Sequence, residues 1–143
     1  MLLPVTINGL DLADLAINAP HSDKVLDLLI EWFEKLDLPA DRKIIPLAHH
    51  WIFEASFLRR WMGTKLLDDI FDGLARDSMV TALAHNDMAN LRGEAAIYRK
   101  VNLAWLCNYF AIINENPHDA LSDALAAAKV YKALLTRAIS NVL

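Results

Sequence analysis

Apolar positions recur along most of the chain at helical rather than strand spacing. From Ser22 onward, Val25, Leu26, Leu28, Leu29, Ile30, Trp32, Phe33 and Leu36 cover more than half of a helical wheel, while Asp23, Asp27, Glu31 and Glu34 follow one another at i, i+4, i+8 and i+11. That pattern predicts an amphipathic helix from Asp23 to about Asp37, with Pro20 ahead of it and Ser22 placed to cap it. Leu38-Pro39-Ala40-Asp41 closes this helix, and Pro46 suits the first turn of a second one running to Met62. Gly63-Thr64 breaks the chain, with Thr64 available to cap a third helix from Lys65 to about Ala75. The helical pattern resumes from Met79 to His85, and residues from Asp87 to Ile113 read as one long helix. Asn116 followed by Pro117 gives a cap and a first-turn proline for the last helix, which extends to about Asn141. Its Leu121, Ala124, Leu125, Ala128, Tyr131, Leu135, Ala138 and Val142 fall along one side, where small residues permit close helix packing.

Ahead of Ser22 the pattern differs. Leu3-Pro4-Val5-Thr6-Ile7, then Asn8-Gly9, then Leu10-Asp11-Leu12 reads as a short N-terminal β-hairpin or an irregular arm over residues 1–21. The predicted fold is therefore all-α: a compact bundle of five or six helices forming a single domain, with the helical core over 22–143. At 143 residues the chain is long enough for a real core, and four Gly, five Pro and one Cys exclude collagen-like and disulfide-stapled classes. Cys107 has no second cysteine to pair with and reads as a small core residue. The start lacks the basic and apolar regions of a secretory signal, and the most apolar run, Val101 to Ile113, is shorter than the roughly 20 residues a bilayer requires. These features predict a cytoplasmic protein with no membrane partner.

Charge changes the picture in one respect. Net charge is −4, from 14 basic and 18 acidic residues, which argues against binding duplex nucleic acid. Eight of the acids but only Lys24 and Lys35 of the bases fall in the first 41 residues, so the acidity is one-sided. Asp23, Asp27, Glu31 and Glu34 form a strip that serves either solvation or docking of a basic partner.

Two segments carry oxygen ligands suited to Mg²⁺ or Mn²⁺: Asp68-Asp69-Ile70-Phe71-Asp72, and Asn86, Asn90 and Glu94 at i, i+4 and i+8. On helices, the three aspartates would share one face and the second set another. An antiparallel reversal near Asp77 would bring Asp68 and Asp69 level with His85, Asn86 and Asp87. In spacing, the two segments resemble the metal motifs of class I terpene synthases. Asn90 stands where Ser or Thr is usual, the segments are closer together, and the chain is too short for that fold, so membership does not follow. The spacing from Arg42 to His49 resembles the Arg/His motif of HEPN-type ribonucleases, an all-α and often dimeric group. That resemblance implies that Arg42 and His49 act on RNA phosphate; Lys43 and Pro46 depart from the motif. His50 and Glu54, at i and i+4, would make a charge pair.

The helix to Met62 has apolar residues on two sides. Trp51, Ala55, Leu58 and Met62 make one stripe, and Phe53, Phe57 and Trp61, with Arg60 adjoining, make another suited to an interface. A mean hydropathy of +0.24 agrees with surplus apolar surface. The leading expectation is a non-enzymatic helical protein that acts through protein contacts, by homodimerisation or by docking a partner, with no catalytic residue and no cofactor. The alternative is a divalent-metal-dependent hydrolase or transferase using Asp68, Asp69, Asp72 and Glu94, followed by a HEPN-like ribonuclease.

Overall fold

A computed structural model describes residues 9–39 and 41–140, without the side chains of 139 and 140. Among these, the chain is mostly helical, with seven helices and a two-stranded parallel sheet. In order they are α1 (Leu12–Asn18), α2 (Ser22–Glu34), β1 (Leu47–Ala48), α3 (Trp51–Met62), α4 (Thr64–Ile70), β2 (Arg76–Asp77), α5 (Ser78–Leu91), α6 (Leu103–Tyr109) and α7 (Ala120–Ser140). No helix among the described residues is long and apolar enough to cross a membrane. Contacts group the chain into two units, one up to Ile44 together with Phe57–Asp72, the other Ile45–Ser56 together with the chain from Gly73 onward.

In the first unit, the expected second hairpin strand is absent. Asp11 instead caps α1, accepting from the backbone N–H groups of Ala13 and Asp14, and the first expected strand lies outside the described residues. Helix α2 starts one residue before its expected start, at Ser22, with the His21 ring rather than Ser22 receiving a first-turn N–H. The Trp61 indole N–H donates to the Ser22 carbonyl over 3.3 Å, tying the end of α3 to the start of α2. Phe33 meets the edge of Phe71, and Ile44 bridges to the Phe71 segment through paired backbone bonds of 2.9 and 2.8 Å. Met62 and Leu67 are buried here, whereas α1 and α2 bury no residue.

The second unit holds the main core. Ala82, Tyr98, Leu106, Cys107, Ala126, Val130 and Leu134 pack together, with Val101, Leu103, Trp105 and Phe110 against them. Each fully buried Leu or Val here contributes roughly 1.5–3 kcal/mol relative to exposure. Ala82 and Ala89 on α5 and Ala126 and Ala127 on α7 are buried, and such small side chains let two helices approach closely.

Three sequence expectations change in this unit. The helix expected from Pro46 begins only at Trp51, because Leu47–Ala48 pairs in parallel with Arg76–Asp77, and the Pro46 carbonyl accepts the Arg76 N–H over 2.8 Å. The long helix expected over Asp87 to Ile113 is interrupted: α5 ends at Leu91 and α6 starts at Leu103. Gly93 causes the stop. It adopts φ +76 and donates to Asn90 O, while Glu94 N–H reaches Ala89 O, the paired bonds of a Schellman ending. The last helix begins at Ala120, three residues after the expected Pro117, because Asp119 accepts the Ser122 N–H and serves as the cap.

Candidate functional site

The segment between α5 and α6 is held by α5. The Asn86 amide clasps the backbone of Tyr98, donating to its carbonyl over 2.9 Å and accepting its N–H over 2.8 Å. His85, buried one position earlier, has Nδ1 3.1 Å from the Tyr98 hydroxyl. These contacts fix the backbone that leads to Val101, Asn102 and Leu103.

That backbone forms one wall of a cleft of about 900 Å³ in the second unit. Strand β1 and the start of α3 supply His49, His50, Trp51, Phe53 and Glu54, and the start of α7 supplies Asp123 and Ala124. Asp77 organises the β1 to α3 corner. Its carboxylate accepts N–H groups from His50 and Trp51 at 3.1 and 2.7 Å, and from Met79 and Val80 at 2.9 and 3.2 Å. One side chain thus caps α5 and binds the first turn of α3. Burial pushes the Asp77 carboxyl upward, but the four backbone donors outweigh it and hold the group below its ordinary value.

Glu54 lies one turn into α3 and is exposed. Asp123 is half-buried, and its orientation is fixed by a short chain of polar contacts. Asn114 Nδ2 donates to Asp123 Oδ1 over 2.7 Å, and the Ser122 hydroxyl donates to Asn114 Oδ1 over 2.6 Å. Between β1 and α5, His49 Nδ1 sits 2.8 Å from the buried Ser78 hydroxyl. Burial lowers the His49 pKa below its ordinary value, against the opposing pull of Asp77 and, more weakly, Asp123. His50 stacks nearly parallel to Phe53 at 6.0 Å and takes φ +81. His118, in the turn entering α7, takes φ +73. A histidine in the left-handed region carries strain, and such strain concentrates at functional sites.

Of the residues singled out from sequence, His49, His50, Phe53 and Glu54 line this cleft, and the metal-ligand candidates fall elsewhere. Asp68 and Asp69 lie on α4, but Asp72 lies beyond its end, so the three do not share a helical face. Asp69 is paired with Lys65 at 2.6 Å. Asn86 and Asn90 are on α5, Asn86 is taken up by Tyr98, and Glu94 lies past the Schellman ending in a pair with Arg92 at 2.9 Å. No group of three or more His, Cys, Asp or Glu side chains converges in a metal-binding arrangement among the described residues. On α3, Phe53 and Phe57 are 53% and 59% exposed, and Arg60 and Trp61 are also exposed. Asp23, Asp27, Glu31 and Glu34 are all exposed along α2.

Sequence reasoning missed Asp123 and took Glu54 only as a partner for His50. A signal was present for Asp123: Asn114, Asn116, His118, Asp119 and Ser122 crowd polar groups around the start of an otherwise alanine-rich helix. No family model, no curated protein and no solved structure matches the chain.

Proposed function

We propose that the second unit performs divalent-cation-assisted hydrolysis of a phosphate ester, with Glu54 and Asp123 as the cation ligands. The observation that carries this reading is that two acidic residues from different elements line one cleft. Mg²⁺ commonly binds through one or two carboxylates and completes its shell with water and substrate phosphate, so a pair suffices where a closed cage would need more. The metal-dependent alternative drawn from the sequence is thereby moved from Asp68, Asp69, Asp72 and Glu94 to a different pair. A cation held here would polarise the phosphoryl group and lower the pKa of an attacking water.

The chain's own residues supply the rest. Trp51 and Phe53 offer aromatic surface on which a nucleobase can stack, and the exposed Arg99 and Lys100 immediately precede the Val101 wall. The second unit carries seven acidic and seven basic residues, a balance that suits one nucleotide or a single-strand end better than a duplex backbone. Arg76 bonds to Pro46, so the N–H and C=O of Leu47 face away from β2, and a further strand paired there would border the site.

The test is calorimetric titration with Mn²⁺ together with hydrolysis of bis(p-nitrophenyl) phosphate and of a labelled single-stranded oligonucleotide. Saturable Mn²⁺ binding and metal-dependent cleavage, both lost in Glu54→Gln and Asp123→Asn, are expected. Binding that survives both substitutions rejects the site.

A second reading, contact with a protein partner, is favoured by α2. It exposes Leu28 and Trp32 as well as its four acids, and Phe57, Arg60 and Trp61 are exposed in the same unit. Light scattering at rising concentration and a salt-sensitive pull-down would test it.

A further inference from the structure

A groove of about 1040 Å³ lies on the second unit between the segment following α6 and the C-terminal half of α7. It is distinct from the cleft, for the two share no lining residue. Its apolar wall is Phe110, Ile112 and Ile113, the last 77% exposed. Its other wall presents Lys129, Lys132 and Arg137, opposed by a single lining carboxylate, Glu115. Arg137 is held in place: one guanidinium nitrogen donates to the Tyr109 hydroxyl over 2.7 Å, and its guanidinium carbon lies 5.5 Å from the Tyr109 ring centroid. Lys129 and Lys132 are exposed, and neither enters an ion pair among the described residues.

We infer that this groove docks an extended peptide in which acidic side chains alternate with bulky apolar ones. Cations lining one wall and apolar side chains lining the other require both kinds of group from the occupant. An extended chain presents them on alternate sides. An inorganic polyphosphate would satisfy the lysines and leave Ile112 and Ile113 in water. Helix α2 of a second copy fits poorly, because on the helical wheel at 100° per residue its acids centre about 125° away from its exposed Leu28 and Trp32. Electrostatic attraction at such a rim acts mainly on the capture rate and is weakened by salt.

The experiment is fluorescence anisotropy with a labelled synthetic peptide alternating Asp and Leu, against the same peptide with Lys for Asp. Saturable binding of the acidic peptide alone, weakened by added salt, is expected. Lys129→Glu and Lys132→Glu should each weaken it about fivefold, in line with about 1 kcal/mol for an exposed charge contact. Ile113→Asp should weaken it as well, with circular dichroism unchanged in all three variants. Equal binding of the basic peptide, tighter binding of tripolyphosphate, or insensitivity to all three substitutions would overturn the inference, as would a lack of saturable binding.

Discussion

Asp77 shows how much one side chain can organise. Its four backbone donors come from two helices that are remote in sequence, so substitution by Ala removes an N-cap and the tether on α3 together. Hydrogen bonds to a charged group contribute about 1.5–3 kcal/mol each way they are counted, and a cap about 1, so Asp77→Ala should cost about 3 kcal/mol in urea denaturation. Because its pKa is lowered on folding, the unfolded chain takes up the proton first as pH falls. The stabilisation is complete above the ordinary carboxyl value near 3.8 and is lost as pH drops below it. His85 acts at milder pH. Burial, with the nearby Arg137 charge, lowers its pKa below 6.5, so the unfolded state binds more protons in acid and stability declines as pH falls through that value. Urea midpoints at about pH 7 and about pH 5 should differ less in His85→Gln than in the parent. The cap bonds to Met79 and Val80 have the local spacing of an N-cap, whereas the tether to His50 and Trp51 and the surroundings of His85 join residues whose spacing matches no helical or strand period.

At the level of elements, the long helices were legible because their apolar positions repeat every three to four residues over many turns. Helices α2, α3 and α7 follow that pattern, with ends displaced by a few residues. The strands were not legible, since two residues cannot display an alternation. The break between α5 and α6 was available in principle at Arg92-Gly93, but Val101 to Ile113 is so apolar that it extended the helical pattern across the interruption. Gly93 can be tested directly. No atom lies within 4 Å of where a Cβ would stand, so Gly93→Ala introduces backbone strain without a clash. A cost of about 1–2 kcal/mol is expected for the left-handed conformation, measured by chemical denaturation. Asn86→Ala should do more to the site than Gly93→Ala. It releases both backbone groups of Tyr98, and proteolysis within the 92–102 segment should accelerate while α5 to α7 remain folded, as followed by far-ultraviolet circular dichroism.

On the scale of the molecule, the two units differ in how their helices are held. Helices α5, α6 and α7 enclose a shared core, whereas α1 and α2 bury no residue. Amide exchange should therefore be faster across α1 and α2 than across α5 and α7, and comparable rates would refute this difference in local stability. The surplus hydrophobicity noted in the sequence has a structural location too: it lies on exposed positions of α2 and α3 as well as in the core. The acidic strip was legible from sequence, while the cleft was not, because its carboxylates come from helices separated by most of the second unit's sequence. The single carboxylate shared by α3 and α5 has a kinetic consequence. The backbone amides of Trp51 and Met79 lie 28 positions apart, yet both are shielded by Asp77, so neither can be exposed at this corner while the carboxylate keeps its grip. The two helix starts then open as one event, with a common opening free energy rather than two.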